Sequence, residues 1–195
     1  MVVGIILAAG MSKRMGQLKQ LMPLGKRRVL EWVVEVVGRQ LEQVVVVLGH
    51  RASEIAPVLA PYPVRCVVNP DYRSGMLSSV KCGVREVDQG VDYLICLGDQ
   101  PRIGEGVVHQ VLNAAKETDA GIVIPTYEGK RGHPILVRNI YRTPILALSV
   151  ELGLNAVIRK NTGDILEVPV SEAVILEDMD TPEDYQRELD QWPQD

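Results

Sequence analysis

Cysteine is scarce in this chain. Cys66, Cys82 and Cys96 are an odd number at wide spacings, each flanked by apolar or strand-like residues, so they read as reduced, partly buried thiols of a cytoplasmic protein and not as a disulfide framework. Neither they nor His50, His109 and His133 fall at metal-ligand spacing, which argues against a zinc centre. No apolar run is long enough to span a bilayer, and Met1–Gly10 lacks the basic flank of a leader, so it reads as a buried first strand. Acids are missing from residues 1–30, which carry six Lys or Arg, whereas Ser171–Asp195 holds nine acids against Arg187 alone. With a net charge of −4, that asymmetry speaks against a general nucleic-acid surface and for a local site that binds a small anion. Missing too is any Ser-His-Asp or Cys-His arrangement, and no acid and base stand obviously paired.

What is present is a large apolar fraction, 46% of 195 residues, enough to build the core of one domain over residues 1–195. Short β-branched runs alternate with longer amphipathic segments, as expected where parallel strands are joined by crossover helices. Strands are predicted at Val2–Ala8, Gln43–Leu48, Val64–Val68, Tyr93–Leu97, Gly121–Pro125, Ile135–Val137, Ile165–Val168 and Ala173–Leu176. Helices are predicted at Arg28–Leu41, Ser53–Leu59, Leu77–Glu86, Gly106–Glu117, Ile140–Leu148 and Pro182–Asp190. The first, second and fourth strands are continuously apolar and so are covered on both faces, which gives an open three-layer α/β sheet, mostly parallel. In such sheets ligands bind beyond the carboxyl ends of the strands.

Three chemically loaded segments fall at those ends. The first is Leu7-Ala8-Ala9-Gly10-Met11-Ser12-Lys13-Arg14-Met15-Gly16-Gln17-Leu18-Lys19, an apolar strand running into a glycine-bounded loop with three cations, the layout of a phosphate cradle. It is not a Walker A loop, because Gly16 is followed by Gln17, and Gly10 and Gly16 do not make the G-x-G-x-x-G of a dinucleotide fold. The competing reading, a solvated basic surface loop, is weakened by the absence of any compensating acid.

The other two segments are acidic. Asp99, in Gly98-Asp99-Gln100-Pro101, follows the apolar run Tyr93–Leu97, and Asp178 and Asp180 follow Ala173–Leu176. Taken singly, Asp99 can be a turn residue bonding its own backbone, and Asp178 and Asp180 can be acids at the start of a helix capped by Thr181 and Pro182. Together, two carboxylates on neighbouring strand ends opposite a basic loop suit magnesium nucleotide, since Mg2+ takes hard oxygen ligands and is held by one or two carboxylates plus phosphates.

On these residues the chain resembles the MobA-like nucleotidyltransferase family, and within it the molybdenum cofactor cytidylyltransferase branch. Leu7 to Gly16 with Lys19, Gly98-Asp99-Gln100-Pro101, Gly132-His133-Pro134 and Asp178-Met179-Asp180-Thr181-Pro182-Glu183-Asp184-Tyr185 match that family's motifs in order. The resemblance implies a Rossmann-like nucleotidyltransferase fold and transfer of CMP from CTP to molybdopterin or molybdenum cofactor, with pyrophosphate released. Nucleotide contacts would come from Leu7, Ala8, Ala9, Gly10, Ser12, Lys13, Arg14, Gly16 and Lys19. Arg14, Lys19 and Asp99 would be catalytic, with Mg2+ on Asp99 and Asp180. Ala8-Ala9-Gly10 is similar to cytidylyl-transferring members, whereas guanylyl-transferring ones tend to carry Ala-Gly-Gly. The family's late Gly-Asp-x-Gly-Ala-Arg stretch is not recognisable in Gly153–Lys160, which leaves the acceptor open.

His133 and Ser78 are the expected acceptor contacts, each with a structural alternative: a packed histidine, and an ordinary capped helix start. Trp32 and Trp192 read as packing residues. An acceptor phosphate has its second pKa near ~6 and is largely dianionic at neutral pH, so no protein base is needed. Other readings are transfer to a sugar, isoprenoid or lactate phosphate, and a non-catalytic carrier or insertion chaperone for a molybdenum hydroxylase. A nicotinamide-dependent reductase is disfavoured by the missing glycine fingerprint.

Overall fold

The computed structural model describes residues 1–193. Seven strands, β1 (Val2–Ala8), β2 (Val44–Leu48), β3 (Arg65–Val68), β4 (Asp92–Leu97), β5 (Ile122–Tyr127), β6 (Ile135–Val137) and β7 (Ile165–Pro169), lie in the order β7-β5-β6-β4-β1-β2-β3. Among these seven strands the pairings are parallel except those of β6, which runs antiparallel to both β4 and β5. The short piece Lys130–Arg131 pairs with the end of β5. The sheet is therefore mixed but mostly parallel.

The alternation of each strand sorts its side chains to two helical layers. Val3 and Ile5 of β1, Val45 and Val47 of β2 and Tyr93 and Ile95 of β4 pack with α3 (Met76–Arg85), α5 (Arg142–Ala147) and α6 (Asn155–Lys160). Ile6, Val46 and Leu94 pack on the opposite face with α1 (Val29–Gln40), α2 (Ala52–Leu59) and α4 (Glu105–Lys116). These strands are apolar on both faces because both faces are covered, the reason their sequences do not alternate.

A third, smaller cluster sits beside the sheet and matters more for the site. Met15, Met22, Leu24, Val29 and Met179 pack with Trp32, Tyr185, Leu189 and Trp192, tying the loop after β1 to α7 (Pro182–Gln191). The Trp32 and Trp192 rings are 4.9 Å apart, and Tyr185 donates to the carbonyl of Pro23 at 2.5 Å. Thr181 and Asp184 close a capping box at the start of α7, with Pro182 as its first residue.

Two sequence expectations are corrected. Ala173–Leu176 is a single 3-10 turn and not a strand. Its one buried residue, Ile175, offers its carbonyl to the His133 backbone N–H at 3.2 Å and to Gln100 Nε2 at 3.3 Å, so its polar group is engaged outside any sheet ladder. Asp178 and Asp180 thus leave a 3-10 turn, not a strand end. The second correction is α6, which lies in the stretch after Gly153 where no helix is predicted; it buries Val157 and Ile158. Among the described residues no helix is long and apolar enough to cross a membrane.

Candidate active site

β1 and β4 are neighbours at the centre of the sheet, with Leu7 beside Leu97. The basic loop and the Asp99 turn therefore leave the sheet side by side. Gly98 permits this contact: its N–H donates to the Leu7 carbonyl at 2.9 Å, and a Cβ there would stand 2.9 Å from that same oxygen. The far end of the basic loop turns at Gly16, whose φ of +73° is in the region glycine adopts freely. Inside the loop Ser12 acts as a brace, accepting from the Lys19 N–H at 3.2 Å while its own carbonyl receives the Met15 and Gly16 N–H groups. Gln20 is buried beneath, donating to the carbonyls of Ala8 at 3.2 Å and Gly10 at 3.4 Å.

This scaffold interleaves charges. Lys19, largely buried, places its ammonium 2.8 Å from Asp180 and in direct contact with Asp99. Arg14, exposed on the outer side, pairs with the other oxygen of Asp180. Burial works against the Lys19 charge, but Asp99 and Asp180 outweigh it and raise its pKa. Burial likewise works against Asp180, and Lys19 and Arg14 prevail, holding its carboxyl below the usual range. Asp178 behaves oppositely. Although it reaches solvent, the protein packed round its carboxyl, and then Asp99, push its pKa up.

A cleft of about 280 Å³ opens over this cluster, lined among others by Leu7, Ala9, Gly10, Lys19, Asp99 and Asp180. Ser12, Lys13 and Arg14 line an outer recess that continues it past Lys19 and Asp180. A second cavity of about 340 Å³ adjoins it, and Leu7, Met76, Leu97 and Asp178 line both.

Of the predicted nucleotide and metal residues, Leu7, Ala9, Gly10, Ser12, Lys13, Arg14, Lys19, Asp99 and Asp180 border this connected space. Ala8 and Gly16 shape the loop behind it. The two expected acceptor residues separate. His133 lines the second cavity, and burial depresses its pKa to about 4, which keeps the ring neutral. Ser78 is buried, its hydroxyl donating to the Gly75 carbonyl and accepting from Asn69 at 2.8 Å; Ser79, one position on, lines the cleft instead. Gln20 and Tyr72 are site residues that the sequence reading missed, and Gln100 was read only as a member of the Gly98–Pro101 turn. Only Gln20 carried a signal, as a polar residue next to Lys19 inside an otherwise apolar stretch.

The donor set fits a hard divalent cation shared with phosphates. Asp99, Asp178 and Asp180 set three carboxylates close to one ammonium; burial first, and then the charges of Asp99 and Asp180, push the Asp178 pKa up. Among the described residues no three His, Cys, Asp or Glu form a ready-made cage, so remaining ligands would have to come from substrate and water.

The sequence pattern of the MobA-like NTP transferase domain matches residues 4–165. The chain belongs to this family. It is 30% identical over 184 residues to the molybdenum cofactor cytidylyltransferase of Escherichia coli K12, covering 93% of this chain and 92% of that one. It is also 30% identical to the nicotine blue oxidoreductase of Paenarthrobacter nicotinovorans, with 96% of each covered. Among solved structures, Rv0371c from Mycobacterium tuberculosis superimposes with a TM-score of 0.83 at 25% identity, covering 97% of both chains. Like the other members of the MobA-like family, the chain carries the nucleotidyltransferase α/β fold. Asp178 and Asp180 lie beyond residues 4–165, in a part of the chain that the full-length likeness to Rv0371c still spans.

Proposed function

We propose that residues 1–195 work as a single MobA-like NTP transferase domain that moves CMP from CTP to molybdopterin or molybdenum cofactor, releasing pyrophosphate. The observation that carries this reading is the alternation of Arg14, Asp180, Lys19 and Asp99 across one cleft mouth. The cations suit a triphosphate, the acids suit Mg2+, and the cytidylyltransferase relative supplies the base and acceptor.

The reaction asks little proton chemistry of the chain. An acceptor phosphate oxygen attacks the α-phosphorus of CTP, a new P–O bond forms, and the bond to the β-phosphate bridging oxygen breaks with its electrons leaving on pyrophosphate. Lys19 and Arg14 would leave their carboxylates and neutralise the phosphate charge that builds up on the departing side. Mg2+ on Asp99 and Asp180, when bound, supplies further charge neutralisation at the phosphate oxygens.

The second cavity favours an acceptor whose body carries no charge. It is walled by Val80, Ile95, Ile135 and Leu154 with a neutral His133; among the described residues its charged side chains are Asp178, where it meets the first cleft, and Arg131, paired with Glu167 at 2.7 Å. A ring system fits this lining better than the carboxylate of a lactate phosphate or the hydroxyls of a sugar phosphate. The equally similar oxidoreductase relative keeps a second reading in play, electron transfer on the same fold. Its test is parallel to the first.

Purified protein with CTP, Mg2+ and molybdopterin should release pyrophosphate and form a cytidylylated product, and should leave NADH and NADPH unoxidised. Turnover only with another phosphorylated acceptor would reassign the acceptor. Cofactor binding without turnover would make the chain a carrier for a molybdenum hydroxylase in the cytoplasm, and nicotinamide oxidation would overturn the transferase assignment.

A further inference from the structure

Gln100 pays attention to chemistry outside its own turn. It is 3% exposed, directly follows Asp99, and its Nε2 donates both to the Ile175 carbonyl at 3.3 Å and to Asp178 Oδ1 at 2.9 Å. Its own Oε1 is buried and has no partner among the described residues. A buried unpaired carbonyl oxygen costs free energy, so folding alone does not favour glutamine here. A leucine of similar size would remove that oxygen. The groups it would release stay satisfied, because the Ile175 carbonyl still accepts from the His133 N–H and Asp178 reaches solvent.

We propose that Gln100 is a positioning residue that holds Asp178 as a third carboxylate beside the Asp99 and Asp180 pair. The clamp spans a large sequence separation, and its neighbours act in the same direction. The Met179 N–H donates to the Asp99 carbonyl at 3.2 Å, and Arg102 pairs with Glu177 and, at 2.8 Å, with buried Glu188. Turn 99–102 thus grips the acidic segment 177–180 at several points, and Gln100 is the grip that reaches a carboxylate at the junction of the two cavities. Asp178 stands outside any three-carboxylate cage, so it acts on a bound cation through water and charge, as an outer ligand does.

This inference rests on the nucleotidyltransferase reading. Its test is Mn2+ binding to the full chain in the presence of CTP, followed by electron paramagnetic resonance, for wild type, Gln100→Leu, Asp178→Asn and the double variant. Gln100→Leu should keep or raise the melting temperature while weakening Mn2+ about tenfold or more, the order found when outer ligands are removed. Asp178→Asn should weaken it comparably, and the double variant should lose little more than either alone. In turnover, Gln100→Leu should raise the metal concentration needed for half-maximal rate while leaving kcat at saturating metal nearly intact. Wild-type Mn2+ affinity in Gln100→Leu, full additivity in the double variant, or failure of Gln100→Leu to fold would each overturn the proposal. Wild-type protein that binds no Mn2+ with CTP would instead sink the metal-nucleotide reading on which it depends.

Discussion

The Lys19 ammonium stands between two carboxylates, 2.8 Å from Asp180 and in contact with Asp99, so the cation expected to meet a triphosphate is held by the acids expected to meet a metal. On the proposed function, the phosphates of a nucleotide would draw Lys19 away and leave Asp99 and Asp180 available to hold the metal. Lys19→Met should separate the two events with opposite signs. CTP binding should weaken, while Mn2+ alone should bind more tightly because no ammonium competes for Asp99 and Asp180. Charge-assisted hydrogen bonds are worth about 1.5–3 kcal/mol, so each effect should be about tenfold or more. Calorimetric titration of each ligand alone measures both, and weaker Mn2+ binding in the variant would contradict the arrangement.

Asp99→Asn should abolish pyrophosphate release with little change in melting temperature. Lys19 keeps Asp180 as a partner in that variant, and asparagine preserves the shape of the turn. Arg14→Ala should slow turnover by orders of magnitude despite the exposure of its side chain, because the role proposed for it lies in the charge of the reacting complex and not in the resting fold. Lys19→Arg should rescue poorly, since a planar fork does not replace a compact ammonium between two carboxylates. Arg39→Ala, which removes only surface pairs with Glu35 and Glu105, supplies the control and should leave the rate unchanged.

Much of this architecture was legible in the residue pattern, for a physical reason. Val2–Ala8, Val44–Leu48 and Asp92–Leu97 are buried on both faces, so their apolar runs are continuous and bounded by turn residues. Ala173–Leu176 looks the same over four residues, yet becomes a 3-10 turn because its backbone is claimed by Gln100 and His133 from distant parts of the chain. Local propensity carries no trace of such partners. The site was legible as a complementarity of sign between Lys13–Lys19 and the acids at 99 and 180, but the direct Lys19 contact with both acids was not. Ser78 and Ser79 show the same limit on a smaller scale. One residue step on a helix turns a side chain by about 100°, and only the packing decides which serine meets Asn69 alone and which also meets the cleft.

Ala9→Gly should reduce a preference for CTP over GTP, by a route that the contacts redraw. A Cβ at Gly49 would come 2.8 Å from the Ala9 Cβ and 2.7 Å from the Tyr72 Cβ, so the Ala9 methyl lies against Gly49, close to the base of Tyr72. Ala9 and Tyr72 both line the cleft. Removing the methyl loosens that wall instead of simply vacating space inside the cleft. One methyl is worth ~1–3 kcal/mol, which sets about tenfold to two-hundredfold as the ceiling for the change. The ratio of kcat/KM for the two nucleotides, measured with one acceptor in both proteins, checks it; a wild type that prefers GTP would end the cytidylyl assignment and spare the transferase one.

His133 sets a pH window for stability. Its pKa is pushed down to about 4 by burial, against an ordinary value of 6.5, so the folded state holds the neutral ring. The sign follows from proton counts: between these two values the unfolded chain binds the extra proton, and stability falls as pH drops from 6.5 toward 4. The full contribution is present above 6.5, and its loss is worth up to ~3 kcal/mol. Asp164, Asp180 and Asp184 have lowered pKa values, and their losses come below the ordinary carboxylate value of 3.8, outside this window. Asp178, raised, works in the opposite direction, since its folded form binds the proton more tightly. Urea unfolding at pH 7 and at pH 4.5 should therefore show a drop in wild type that His133→Gln largely removes, and an equal drop in both proteins would place the acid sensitivity elsewhere.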